Sequence, residues 1–317
     1  MSAEPNPESL PLSPLSPPEG PRTGLRAIFW NEREVRCIWR LLVYVSLFSL
    51  FFLAATYLTL LLRLPQVGSV GISAPSLLVT DASELLAAFV AAGVMTVLEA
   101  RPFGVYGLPR AGAFGARFWQ GALWGIAMIT AVILLIRAFG GYSFGSLALE
   151  GVSLWGYAAL WLLVFLFVGL FEEFFFRGYA QFTVAMGVGF WPAAIGLSAV
   201  FGYIHTRNIG ENKIGALSIF VIGMFFCLTL RRTGNLWFAV GVHAAFDWGE
   251  TFLYSVPDSG IVAPGHLLES SLHGPAWLTG GPVGPEASVM TFVVVALAAV
   301  AFVLVYPSKE EPPRAAV

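Results

Sequence analysis

The feature that most constrains this chain is a succession of apolar runs about as long as a bilayer is thick. A helix needs about 20 mainly apolar residues to cross the hydrocarbon core. Reading for such runs gives eight: residues 36–63, 77–99, 117–139, 152–186, 190–206, 214–231, 235–255 and 287–306. Gly, Pro or charge breaks them, as at Arg101-Pro102 and Arg231-Arg232-Thr233-Gly234; the fourth run is overlong and the fifth short. Only 11% of the 317 residues are charged and 57% are hydrophobic, against about 25% charged in soluble domains. So few charges cannot cover a water-facing surface. The net charge of -2 excludes the clustered positive footprint of a nucleic-acid partner. The expectation is an all-α polytopic membrane protein, with about eight transmembrane helices around an intramembrane polar cavity.

Residues 1–33, rich in Pro, Ser and Glu, are expected to be a disordered tail, because they have little apolar surface to bury. They contain no signal-peptide core, and the first long run, from near Val35, is too long to be one. The rest divides into three helices over 34–151, a four-helix core over 152–255, a Gly/Pro-rich loop over 256–286, and a last helix with a short tail over 287–317. With eight spans, Arg63, Arg137, Arg207 and Lys213 fall on one side, and the other thirteen of the 17 basic residues fall on the side of both termini. The positive-inside rule then puts both termini in the cytoplasm of what we expect to be a bacterial plasma membrane. Cys37 and Cys227 lie far apart in apolar runs, outside any CxxC, so neither a disulfide framework nor a thiolate metal site is expected.

Inside these runs sit side chains that lipid penalises, at about 2.5–3.5 kcal/mol each at a helix centre. The fourth run reads Leu170-Phe171-Glu172-Glu173-Phe174-Phe175-Phe176-Arg177-Gly178. Glu173 and Arg177 are four apart and share a helical face, with the acid N-terminal to its cation. Glu172 points about 100° away. Arg177 therefore neutralises one carboxylate and leaves Glu172 as the candidate acid/base. His205 ends the fifth run; His243 lies inside the seventh, with Asp247 four residues on. Folding the fourth and fifth runs about Gly187-Val188-Gly189 brings Glu172, sixteen residues before Val188, to nearly the depth of His205, seventeen after it, at about 1.5 Å per residue.

The bland alternative is that each such residue is a helix-packing partner. Asp81 and Glu84 are best read that way, as a cap and first-turn acid of the second run. Glu250 continues the His243–Asp247 stripe near the interface. Gly141-Tyr142-Ser143-Phe144-Gly145 matches GxSxG but lies between runs, where no strand-to-helix elbow is expected. His266, Glu269 and His273 have helical ligand spacing, yet Pro and Gly flank them.

Together these motifs resemble those of the CPBP intramembrane proteases, also called the CAAX prenyl protease type II or Abi family. EExxxR is Glu172 to Arg177, FxxxH is Phe201 to His205, and a variant of HxxxN is His243 to Asp247, preceded by Thr233-Gly234-Asn235-Leu236-Trp237. The resemblance runs over roughly Leu154 to Glu250. It implies an intramembrane endopeptidase acting on a peptide or membrane-protein substrate. Glu172 and His205 would activate water, His243 with residue 247 would stabilise the oxyanion, and Glu173 with Arg177 would be structural or orienting. Asp247 stands where the family pattern has Asn. An ionised carboxylate there would repel an oxyanion, so Asp247 could instead fix the His243 tautomer, stay protonated, or help hold a metal. The same resemblance admits a zinc metalloendopeptidase with Glu172, His205 and His243 as ligands and an open position for water; we favour the metal-free mechanism, with no cofactor. The reading of another class is a non-catalytic membrane scaffold or immunity-type binding protein. A transporter or proton relay is less well supported, because no inverted repeat is visible.

Overall fold

The computed structural model describes residues 26–29, 35–67, 72–208, 210–262 and 264–307. The tail expected over 1–33 lies outside these residues apart from one helical turn, Arg26–Phe29. The chain is mostly helical. Its main helices are α1 (Cys37–Leu61), α2 (Ala74–Glu99), α3 (Ala116–Ala138), α4 (Gly151–Val188), α5 (Phe190–His205), α6 (Lys213–Thr233), α7 (Trp237–Trp248) and α8 (Val289–Val305). Among the described residues α1, α2, α3, α4 and α6 are long and apolar enough to cross a membrane; α5 and α8 are apolar but shorter.

The distribution of polarity is inverted relative to a soluble protein. α1 buries only Arg40 and Tyr44 and turns Leu50, Leu53, Leu60 and Leu61 outward. The interior holds Glu99, Glu173 and Arg177. Such a surface is stable only in lipid, where helices satisfy their own backbone groups. Buried polar groups then tie helices together. Glu99, at the end of α2, accepts from Arg40 Nε at 2.9 Å, Tyr106 Oη at 2.7 Å and Tyr179 Oη at 2.5 Å, so one carboxylate joins α1, α2 and α4.

Local signals set the helix ends. Ser73 caps α2, its hydroxyl accepting from the Ser76 amide while the Ser76 hydroxyl accepts from the Ser73 amide. This moves the start of the second run forward from 77 to Ala74, and it corrects the reading of Asp81 and Glu84. Both lie beyond the first turn, and Asp81 is buried. The cap was missed because the reciprocal partner is a serine rather than the Glu or Gln of the usual capping box. Asn212 caps α6 by accepting from the amides of Ile214 and Gly215.

α7 sits at the centre, with every residue from Trp237 to Asp247 buried. Its approach to α3 is a small-residue crossing. A Cβ on Gly121 would lie 2.1 Å from the Phe238 carbonyl oxygen, and one on Gly125 2.3 Å from that of Val242. α4 and α5 form a hairpin about Gly189, whose φ is 88°.

The 256–286 segment is fastened to the helices. Strand β1 (Tyr142–Ser143) pairs antiparallel with β2 (Ser271–Leu272). Tyr142 Oη donates to the Tyr254 carbonyl at 2.9 Å, and Trp161 Nε1 to that of Gly265 at 3.0 Å. The GxSxG match is thus a strand pair without the strand-to-helix turn of a nucleophile elbow. His266, Glu269 and His273 lie outside any helix, and His273 Nε2 instead pairs with the Ser271 hydroxyl at 2.9 Å.

Candidate active site

Helix α4 changes character at the two glutamates. It is α-helical to Glu172, π-helical over Glu173–Ala180, and α-helical again from Gln181. π-Helical turns are rare and concentrate at functional sites. Gly178, inside this stretch, departs from helical geometry at ψ -112°. A Cβ there would meet the Tyr106 carbonyl and the Phe174 ring at 3.0 Å. The π turn and this kink mean that depth along α4 does not follow a uniform rise. Equal counting from Val188 is therefore not what relates Glu172 to His205.

The adjacent glutamates enter different surroundings. The side chain of Glu173 is fully buried, whereas 21% of the Glu172 side chain is exposed. Glu173 Oε1 accepts from Arg177 Nη1 and from His243 Nδ1, each at 3.0 Å. The Arg177 guanidinium lies 4.2 Å from the centre of the Phe201 ring and also faces Phe226, a cation–π arrangement that strengthens when water is excluded. Gly223 makes room for it, since a Cβ there would lie 2.4 Å from Arg177 Nη2.

His243 stacks on Phe226, with ring centres 5.3 Å apart and planes at 18°. Its Nδ1 donates to Glu173. Its Nε2 lies 3.5 Å from Glu172 Oε2 and 3.4 Å from Asp247 Oδ2. With Nδ1 committed, Nε2 carries a donor only in the doubly protonated ring. His205 is oriented by its own helix, Nδ1 donating to the Phe201 carbonyl at 2.8 Å. In the neutral ring this leaves Nε2 as an acceptor.

Glu172, His205, His243 and Asp247 all line one cavity of about 200 Å³. Its apolar wall includes Trp161, Phe165, Ile222 and Phe226, and Asp81 from α2 adds a further carboxylate. The zinc set named from the sequence is not gathered. Among the described residues the triad whose candidate ligand atoms all lie within 4.8 Å of one another is Glu250, Asp258 and Glu286, not Glu172, His205 and His243. The chemistry below therefore uses these side chains without a metal.

Sequence reasoning did not find the Glu173–His243 hydrogen bond, the place of Asp81 on the cavity wall, or the three-carboxylate group beside it. The His243–Asp247–Glu250 spacing hinted at the last; the first two needed tertiary packing.

Residues 154–249 match the family model described as Rce1-like, type II CAAX prenyl endopeptidase. The chain carries an Rce1-like domain. No curated protein sequence matches the chain. The Rce1-like segment contains every motif residue from Glu172 to Asp247 and stops one residue short of Glu250. The apolar helices make the chain an integral membrane protein, and the matched segment is similar to a family described as CAAX prenyl endopeptidases.

Proposed function

We propose that this protein is an intramembrane endopeptidase whose working pair is Glu172 and His205. The observation that carries the reading is that Glu172, His205, His243 and Asp247, drawn from α4, α5 and α7, open onto one cavity, while Glu173 and Arg177 stay behind its wall, paired with each other. A water between Glu172 and His205 Nε2 loses a proton to Glu172 as it attacks the peptide carbonyl, and the protonated acid returns that proton to the leaving nitrogen. His243, doubly protonated, donates from Nε2 to the oxyanion, a contact typically contributing 10²–10³ in rate. Glu173 and Asp247 flank the ring and favour that cation. Asp247 thus acts through His243 and does not touch the oxyanion itself.

In this reading the eight apolar runs each cross the bilayer, the seventh as α7 together with its π-helical continuation Gly249–Leu253, and both termini lie in the cytoplasm. The substrate is a peptide or membrane-protein segment reached within the membrane, and prenylated CAAX tails are the class to try first, given the family description. The test compares C-terminal fragments in membranes carrying wild type, Glu172→Ala or His205→Ala at equal abundance, alongside cleavage of a prenylated CAAX peptide by the purified proteins. Both variants should insert normally and leave substrates uncut. Cleavage by Glu172→Ala at the wild-type rate would remove the assignment.

A further inference from the structure

Beyond the Rce1-like segment, three carboxylates converge from separate elements. Glu250 lies in the π-helical continuation of α7, Gly249–Leu253; Asp258 lies in the following loop; Glu286 lies in the 3-10 turn Pro285–Ala287 that leads into α8. One oxygen from each lies within 4.8 Å of the other two. Glu250 is fully buried, and among the described residues no donor meets hydrogen-bond geometry at either of its carboxylate oxygens. The other two are partly satisfied. Glu286 Oε2 accepts from the Ser259 amide at 3.0 Å and hydroxyl at 2.7 Å, and Asp258 Oδ2 accepts from the Thr251 hydroxyl at 2.9 Å. Among the described residues, no Lys, Arg or His forms an ion pair with any of the three.

A buried carboxylate without donors is costly, and neighbours of the same sign add to the cost. Yet the backbone holds the group together. The Val256 amide donates to the Glu250 carbonyl at 3.1 Å, and the Gly260 amide to the Val283 carbonyl at 2.9 Å. Gly284, at φ 107°, lets the Pro257 carbonyl approach to where a Cβ would stand only 1.9 Å away. Oxygen-only ligands suit a hard cation. Ca²⁺, with oxygens at about 2.4 Å, spans ligand pairs up to about 4.8 Å apart and tolerates irregular geometry, whereas Mg²⁺ at about 2.1 Å demands a tighter octahedron.

We propose that Glu250, Asp258 and Glu286 bind a divalent cation, Ca²⁺ in first place, which ties the 256–286 segment to the ends of α7 and α8. Asp258, Ser259 and Glu286 also line the cavity, so the ion fixes part of its lining. The site stands whether or not the cavity hydrolyses peptides.

The experiment takes the full chain in detergent, strips it with a chelator, dialyses it, and measures ⁴⁵Ca²⁺ uptake and thermal melting against Ca²⁺ and Mg²⁺. We expect one Ca²⁺ per chain, a higher melting temperature with Ca²⁺, and a smaller rise with equal Mg²⁺. Glu250→Gln and Glu286→Gln should each weaken uptake by at least about tenfold, while Glu250→Gln, which removes a buried unpaired charge, should melt higher than wild type when both are ion-free. Glu172→Gln should keep the full uptake. Absence of saturable uptake up to about 10 mM, above the range of weak calcium sites, overturns the proposal. So does uptake unchanged in the Glu250→Gln/Glu286→Gln double variant, or uptake lost in Glu172→Gln, which would place the ion in the cavity instead.

Discussion

Glu173 is the residue at which packing and chemistry can be pulled apart. Its buried carboxylate is shared by Arg177 and His243, so Glu173→Leu removes two partners at once. Breaking one side of a buried ion pair costs about 3–5 kcal/mol, because the other charge is left uncompensated. Here the guanidinium keeps its contacts with Phe201 and Phe226, which places the expected loss at the low end, about 3 kcal/mol. Adding Arg177→Met removes the stranded charge, and the double variant should recover to within about 1 kcal/mol of wild type. Cleavage should not recover with it. His243 Nδ1 still lacks its acceptor, the ring is no longer held toward the cavity, and the rate should stay about 10²–10³ below wild type, the scale of one lost oxyanion donor. Denaturant titration of both variants in detergent gives the stability, and a peptide-cleavage assay gives the rate. A double variant that cleaves within about threefold of wild type would show that Glu173 only neutralises Arg177. A single variant that loses less than about 0.5 kcal/mol would refute the buried-pair reasoning itself.

Four further outcomes follow from the same geometry. Glu172→Gln should abolish cleavage without loss of melting temperature, since its carboxylate opens onto the cavity; a marked loss of stability would instead favour the scaffold reading. Removing zinc with a zinc-selective chelator in saturating Ca²⁺ should leave cleavage unchanged, and stoichiometric zinc that disappears in His243→Ala would reverse the metal-free assignment. Gly121→Val should destabilise the protein by several kcal/mol in denaturant titration, because its side chain would enter the space of the Phe238 carbonyl. Asp258, in the loop outside the spans, has its carboxyl held well above the usual range, first by burial and then by Asp247 and Glu286; Glu250 and His243 also face it. The folded state thus keeps a proton that the unfolded chain releases, so ion-free protein should melt highest at acid pH and lose stability as pH rises above the ordinary carboxylate range of about 4. Saturating Ca²⁺ should flatten that slope, and an ion-free melting temperature that climbs from pH 5 to 8 would contradict the argument.

What could be read from the residues was what local rules govern. Long apolar runs mean helices because lipid offers no other partner to the backbone. The four-residue spacing puts Glu173 beside Arg177 and turns Glu172 away, since that is a property of one helix. Legibility stopped where contacts cross between helices. Glu173 and His243 are 70 residues apart, and Arg40 and Glu99 are 59 apart; nothing in either local pattern points to the other. It stopped also at irregular backbone. The π turn after Glu172 follows from no residue propensity, so a count of equal rises could not describe α4. Asp81 was misjudged because its helix begins a turn earlier than the apolar run does, moving it from a first-turn position to the cavity wall.

The two adjacent glutamates show why position alone does not assign a role in such a protein. Helical angle separates them, but what each does depends on what it meets. Glu173 meets Arg177 and His243 in a fully buried space, where a carboxylate is tolerable only because both donors reach it. Glu172 meets the cavity, where a water or a substrate can reach it. The same logic extends to Glu250. It shares a helical stripe with His243 and Asp247, yet it does not line the cavity, and among the described residues no donor meets hydrogen-bond geometry at its oxygens. One helix therefore carries a ring that faces the cavity and, a few residues on, a buried carboxylate that meets two others. The loop that brings Asp258 and Glu286 to that carboxylate also lines the cavity that His205 lines, so the ion and the reaction would share one wall.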